Sequence, residues 1–361
     1  MALITFLMPD AHCEHPVGGY KVVFEYANRL VNSGHAVNIV FPQQYKLITN
    51  SIVDKLKNIY LKLKIKPRYT PGEKVPCNWF EVDEKVNMFA IRSLDTKCLP
   101  ASDIYIATYY TTAYALEQVS SSRKYYLVQA LDYFYESEKD IVLRSYSLDM
   151  QIIAISEYLQ SVCKEYARRE VLLLHNGFDF NYFRQSRSEE QRDPKAILAM
   201  YHPGEWKGFK ETTEALKIVL QQYPDLNINF FGAYPDPQLP DLKYNYSRSP
   251  DRALHNKLYN DAALYVTHSK NEGWGLPVGE AMICGACVVC SDIGGFDTMA
   301  VNNETALVFA VGNVEQMAEK IIFALENNEE RIRIARNGNE FIKRFTWESS
   351  FRKLIEILNL S

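Results

Sequence analysis

Glu272-Gly-Trp-Gly-Leu-Pro-Val-Gly-Glu280 follows a short apolar run, Leu264–Thr267, and precedes Ala281-Met-Ile-Cys-Gly285. Gly273 and Gly275 permit backbone conformations closed to other residues and let a ligand approach the main chain. Pro277 suits the first turn of a helix, where its missing N–H costs nothing. The stretch therefore reads as a strand, a glycine loop and the start of a helix. Free N–H groups at such a start, with the positive end of the helix dipole, make an anion site suited to a diphosphate. Glu272 falls in the loop and Glu280 one turn into the helix. Each carboxylate is an acceptor for ligand hydroxyls. The bland alternative is a structural loop with two surface glutamates, against which the two glycines and the proline weigh together.

The same alternation runs outward in both directions. In the first half, Leu3–Met8, Ala36–Phe41, Asn87–Ile91, Asp103–Ala107, Tyr125–Gln129 and Gln151–Ile155 read as strands. Between the first two, Gly19–Ser33 carries Val22, Val23, Tyr26, Ala27 and Leu30 at helical spacing, with Gly34 as its C-cap. In the second half, Ala196–Tyr201, Asn227–Phe231, Leu264–Thr267 and Ala286–Cys290 read as strands. Glu211–Gln222, Val278–Cys284 and Val314–Glu326 read as helices. Strand–helix–strand recurrence implies α/β architecture with parallel sheets covered on both faces. His175-Asn-Gly-Phe-Asp179 is a turn signature, and Arg184–Pro194 is polar and strand-poor. The last stretch, Arg331–Ser361, reads as two helices broken near Phe345-Thr-Trp-Glu348, with Thr346 as a cap for the second.

Composition sets the outer bounds. A chain of 361 residues, 47% hydrophobic, is too long for one ordinary core and suits two domains. A formal net charge of −4 gives no global attraction to nucleic acid. No segment approaches the ~20 uninterrupted apolar residues of a membrane span. Met1–Asp10 lacks a basic flank and a small-residue cleavage site, so it reads as a buried strand rather than a signal peptide. Seven cysteines, an odd number, fit reduced thiols in a cytoplasmic protein.

With these residues in place, the chain resembles the retaining glycosyltransferases of family 4. The Glu272–Glu280 stretch is similar to their E-x7-E element. Gly285, Cys287-Val-Val-Cys290 and Ser291-Asp-Ile-Gly-Gly295 resemble the glycine, buried strand and turn that come after that element in the family. Val17-Gly-Gly19 resembles the family's glycine loop after the first strand. Ser156-Glu-Tyr-Leu159 and Asn176-Gly-Phe-Asp179 resemble its crossover, Lys207-Gly208 its donor-phosphate lysine, and Phe345-Thr-Trp347 its C-terminal Phe-Ser/Thr-Trp. The resemblance implies a GT-B fold: two Rossmann-like domains with parallel sheets facing across a cleft. On that pattern, residues 1–180 form an N-terminal acceptor-side domain and 181–340 a C-terminal domain that binds the nucleotide-sugar. Residues 341–361 form a helix returning towards the first domain.

The resemblance also assigns roles. Glu272 contacts the donor sugar and Glu280 the ribose hydroxyls, while amides of Gly273, Trp274, Gly275 and Leu276 face sugar and phosphate. Lys207 neutralises charge on the leaving diphosphate, an electrostatic role that often dominates catalysis. Gly18 and Gly19 approach the phosphate from the other domain. The implied chemistry is metal-independent transfer with retention from a dTDP-, UDP- or GDP-sugar to a glycan, a lipid-linked or another hydroxyl acceptor, with no cofactor. Two positions depart from the pattern. His202 stands where an arginine is common, and it is a weaker phosphate partner, its ordinary pKa lying near 6.5. It is either a donor contact or simply a loop residue. Gln129 and Asp132 stand where many members have a histidine facing the sugar. Their stretch, with Tyr133 and Tyr135 behind it, resembles the rhamnosyltransferase-like branch and a deoxysugar donor. A nucleotide-sugar epimerase or hydrolase on the same fold and a silent nucleotide-sugar-binding subunit remain the alternatives.

Three further clusters have competing readings. His12 and His15, in His12-Cys-Glu-His15, lack the spacing of zinc signatures and read as acceptor-side or solvated loop residues. Cys284, Cys287 and Cys290 read as small buried thiols, because the odd spacing along a strand sends the last two side chains to opposite faces. Residues 46–68 carry seven basic residues and one acid, with Ile52, Leu56, Ile59 and Leu63 along one helical face. The segment is either a helix with a solvated basic face or a peripheral contact with anionic lipid. On the second reading, replacing Lys55, Lys57, Lys62, Lys64 and Lys66 by Gln releases the protein from anionic liposomes in a flotation assay. Unchanged binding, or none by the parent protein, removes that reading.

Overall fold

A computed structural model of the chain describes residues 1–11, 13, 15–44, 67–121, 123–132 and 136–360. His12, Tyr133, Tyr135 and the basic segment as far as residue 66 lie outside the described residues. The chain divides into two compact units, Met1–His175 with Ser350–Ser361, and Asn176–Ser349.

The first unit runs β1 (Leu3–Leu7), α1 (Gly18–Asn32), β2 (Ala36–Pro42), β3 (Val86–Ile91), β4 (Ile104–Ala107), α2 (Tyr110–Glu117), β5 (Lys124–Val128), α3 (Glu136–Ser145), β6 (Gln151–Ala154), α4 (Glu157–Lys164) and β7 (Leu172–Leu173). Its strands pair in the order β3-β2-β1-β4-β5-β6-β7, every neighbour parallel. Such a sheet buries both faces, which is why β4 is buried at all four residues. α1 turns Val22, Val23, Tyr26, Ala27 and Leu30 inward, the spacing read from the sequence. It ends in a Schellman motif: Gly34, at φ +89°, donates to Val31 O at 3.1 Å, and His35 donates to Leu30 O at 3.0 Å.

The second unit runs β8 (Ala196–Met200), α5 (Phe209–Gln222), β9 (Asn227–Gly232), β10 (Asn245–Arg248), α6 (Arg252–Asp261), β11 (Leu264–Thr267), α7 (Leu276–Ile283), β12 (Cys287–Asp292), β13 (Leu307–Ala310), α8 (Val314–Glu326) and α9 (Asn328–Ile342). Its sheet, β10-β9-β8-β11-β12-β13, is also parallel throughout. Ile197, Phe230, Val266, Val289 and Leu307, from five strands, pack with Leu216 and Val219 of α5 and Ile321 of α8 in one apolar cluster. The final helix, α10 (Trp347–Ile357), begins in this unit. Thr346 caps it, its Oγ1 accepting from the Ser349 amide at 3.1 Å. No helix of the described residues is long and apolar enough to cross a membrane.

All ten strands read from the sequence occur, with ends shifted by a residue or two; Met8, Gln129 and Ile155 fall just beyond theirs. Strands β7, β10 and β13 come in addition. The three cysteines are buried: Cys284 caps α7 and the other two lie in β12. Burial pushes the Cys284 and Cys287 thiols up to about 12 and raises that of Cys290 as well.

Strand order reverses between β1 and β4 in one sheet and between β8 and β11 in the other. Crevices outside the carboxyl ends of strands at such switch points are where open α/β sheets bind ligands. In the second unit the loop leaving β11 is shaped by backbone contact. A Cβ built on Gly295 would lie 2.1 Å from the Glu272 carbonyl oxygen, so only glycine admits that approach. Gly295→Ala is expected to cost about 3 kcal/mol in urea unfolding, the upper range for overpacking. Gly312→Ala, at φ +83° with open space around it, should cost about 1 kcal/mol from backbone strain alone. Equal losses in the two variants would contradict this account of the loop.

Candidate functional site at the carboxyl ends of β8 and β11

Lys207 and Glu272 arrive from the two strands that flank the switch point. Lys207 ends a 3₁₀ turn, Glu205–Lys207, in the connection from β8 to α5. Gly208, at φ +58°, then folds the chain against the loop after β11, where a Cβ would fall 1.9 Å from the His268 carbonyl oxygen. The Lys270 amide donates to Trp206 O at 2.7 Å, and Lys270 Nζ pairs with Glu211 at 2.5 Å. These contacts lay the two loops side by side. Lys207 Nζ donates to Glu272 Oε1 at 2.6 Å, with 18% and 14% of the two side chains exposed. The pair is sheltered from water yet reachable, which strengthens its field relative to a surface pair.

Ser269 completes this arrangement. Its hydroxyl donates to the same Glu272 oxygen at 2.9 Å, and its carbonyl accepts from Ser291 Oγ. Sequence reading missed Ser269. Its signal, a serine three residues before a loop carboxylate, follows no spacing rule of a helix or strand.

Gly275 is the N-cap of α7, in the left-handed region at φ +81°, and Pro277 lies in the first turn. Gly273 is not left-handed. Among the described residues, the amides of Gly273, Gly275 and Leu276 donate to no protein group. Donors left over at a helix start carry the positive end of the dipole. The Trp274 side chain faces the interior, stacked on Phe178 with centroids 6.2 Å apart and edge-on to Phe345 at 5.2 Å. Phe178 also presses on Gly279 of α7, which explains the aromatic residue in the Asn176-Gly-Phe-Asp179 turn. Glu280 is buried in α7, and Tyr259 Oη donates to its Oε2 at 3.3 Å. Burial first, and then the Glu280 carboxylate, hold the Tyr259 phenol well above its ordinary range.

His202 has both ring nitrogens engaged. The Gly204 amide donates to Nδ1 at 2.9 Å, and Nε2 lies 3.3 Å from Tyr234 Oη. Burial, then the Lys207 cation, lower its pKa to about 4, so the ring is neutral at physiological pH. An acceptor role at Nδ1 puts the single proton on Nε2.

In the first unit, Gly18 opens α1 after β1, and the Gln129 amide group lies against Gly19, 3.3 Å from where a Cβ would be. Asp132, three residues further on, is buried, and burial raises its pKa well above the carboxylate range despite a hydrogen bond from the Tyr110 amide. His15 is exposed. Among the described residues no group of three or more His, Cys, Asp or Glu side chains is arranged to hold a metal ion.

Comparison with known proteins gives this geometry a family context. Residues 182–341 match the family model "Glycosyl transferases group 1". The chain is 24% identical over 226 residues to a protein of Methanocaldococcus jannaschii described as an uncharacterised glycosyltransferase, covering 58% of this chain and 60% of that protein. It is 24% identical over 209 residues to a phosphatidyl-myo-inositol mannosyltransferase of Mycobacterium tuberculosis, covering 54% of this chain and 55% of that one. The chain thus spans less than two thirds of either relative. A sucrose-phosphate synthase from Thermosynechococcus elongatus superimposes with a TM-score of 0.74 at 14% identity, covering 99% of this chain and 98% of that one. The Anabaena protein HepE in complex with UDP-glucose superimposes with a TM-score of 0.71 at 16% identity, covering 99% and 100%. The chain therefore has a GT-B-like fold of two parallel α/β units, and its residues 182–341 are similar to the group 1 glycosyl transferases.

Proposed function

We propose that the protein is a retaining glycosyltransferase that binds a nucleoside-diphosphate sugar at the start of α7. The observation that carries this reading is that Lys207 pairs with Glu272, the residue directly before a loop in which, among the described residues, the amides of Gly273, Gly275 and Leu276 have no protein partner. The lysine and the three amides are all donors, and none competes as an acceptor. A diphosphate fits such a set, and preorganised donors stabilise charge without reorganising during reaction. Buried Glu280 then takes the ribose hydroxyls, and Glu272 takes hydroxyls of the sugar. His202 acts as a neutral brace of the β8 loop at the donor's edge, leaving the phosphate charge to Lys207.

In the reaction, the bond from the anomeric carbon to the diphosphate oxygen breaks, and its electron pair stays on that oxygen. The acceptor hydroxyl attacks from the same face, and its proton passes to the leaving phosphate oxygen. Lys207 and the amides hold the charge that develops, so the scheme needs no enzymic base and no divalent cation. The acceptor, a glycan, a lipid-linked saccharide or another hydroxyl compound, is assigned to the first unit, where Gln129, Asp132 and His15 follow β5 and β1. The dTDP-deoxyhexose option rests on Gln129 and Asp132.

A thermal-shift screen against UDP-, GDP- and dTDP-sugars is expected to show stabilisation by one donor class. Lys207→Ala should abolish it, and EDTA should leave it and product formation unchanged. No response to any nucleotide-sugar, or a requirement for metal, would contradict the reading. A second outcome concerns His202. Its pKa of about 4 in the fold lies below the ordinary 6.5, so the unfolded chain binds more protons between those values. Stability is therefore lost as pH falls from about 6.5 through 4. In urea unfolding at pH 7 and pH 5, His202→Gln should lose less stability than the parent; an equal loss would contradict the neutral brace.

A further inference from the structure

Glu272 is held on one side only. Oε1 receives both Lys207 Nζ, at 2.6 Å, and Ser269 Oγ, at 2.9 Å. Oε2 has no hydrogen bond among the described residues. Ser269 is itself fixed: it is 2% exposed, it is the second residue after β11, and Ser291 of the neighbouring strand holds its carbonyl. Its hydroxyl also lies 3.3 Å from Thr267 Oγ1. A carboxylate anchored through one oxygen by two donors cannot turn without losing both, so its second oxygen is presented in one direction.

We infer that Ser269 is a specificity-determining positioning residue that fixes Glu272 so that Oε2 reads the hydroxyls of the transferred sugar. The inference rests on the proposed nucleotide-sugar site and assigns within it which residue makes the sugar contact directional. Lys207 cannot do this alone. When a diphosphate arrives it draws on the same Nζ, and the Lys207–Glu272 contact weakens as the lysine is shared. Ser269 has no such competitor, because its buried hydroxyl touches Glu272 and not the amides at the helix start. Its contribution is therefore largest with donor bound, and it concerns the sugar rather than the nucleotide.

The test is calorimetry on the full chain, comparing the nucleoside diphosphate with the nucleoside-diphosphate sugar that stabilises the parent protein. Ser269→Ala is expected to bind the nucleoside diphosphate within about twofold of the parent. It should bind the sugar nucleotide roughly tenfold more weakly, the scale of one hydrogen bond to a charged group. On a Glu272→Gln background, Ser269→Ala should add little further loss, because the two residues act as one unit. Equal weakening of both ligands by Ser269→Ala would mark it as merely structural and overturn the inference, as would unchanged sugar-nucleotide binding or losses that add across the cycle. If the parent protein binds no sugar nucleotide at all, the site reading fails and this inference fails with it. If the parent binds and only the Ser269 pattern is absent, the inference alone falls.

Discussion

Lys207 and Glu272 are 65 residues apart in the chain and meet at 2.6 Å. The rest of the candidate site depends on that meeting. It is enforced by main-chain contacts that admit no side chain: Gly208 against the His268 carbonyl, and Gly295 against the Glu272 carbonyl. Both glycines lie outside the Glu272–Glu280 stretch. They set the two loops so that the ion pair forms without either long side chain searching for its partner. An ion pair at a surface is worth little because entropy and solvent oppose it. Here the backbone has already removed both objections, and the pair stands ready at the open end of α7.

The electrostatics around the pair are arranged by burial as much as by charge. His202 sits near Lys207 but is kept neutral, first by burial and then by the lysine itself. Of these two side chains Lys207 alone carries the positive charge, and the amides at the start of α7 add the positive end of the helix dipole. Glu280 is buried and hydrogen-bonded from within the fold, whereas Glu272 keeps one oxygen available. The two carboxylates of the stretch therefore differ in kind. One belongs partly to the core, and the other is a restrained hydroxyl acceptor.

The legibility of each feature in the sequence depended on how local it is. The apolar strands β1, β2, β8, β11 and β12 declared themselves, because a strand buried on both faces has to be a continuous apolar run. Strand β10, Asn245-Tyr-Ser-Arg248, is polar and part-exposed at the sheet edge, so it carried no such pattern. Strand β13 lies at the other edge of the sheet, and its outward amides at Val308 and Ala310 are met by Asn302 and Gln316 side chains rather than by another strand. Helix α6 is largely polar and so shows little of the apolar spacing that marks a helix. At the site, the turn chemistry of Gly275 and Pro277 was local and readable. The partnership of Lys207 with Glu272, the part played by Ser269 and the interior position of the Trp274 ring were not, since each depends on residues brought together only by the fold.

A crystal structure with a nucleoside diphosphate bound is the most direct measurement of the central claim. The account predicts diphosphate oxygens within about 3 Å, hydrogen-bond distance, of Lys207 Nζ and of the amides of Gly273, Gly275 and Leu276. Glu272 Oε1 should still be held by Ser269. Diphosphate density elsewhere on the molecule, with the Lys207–Glu272 pair undisturbed and the amides at the start of α7 facing only water, would contradict it.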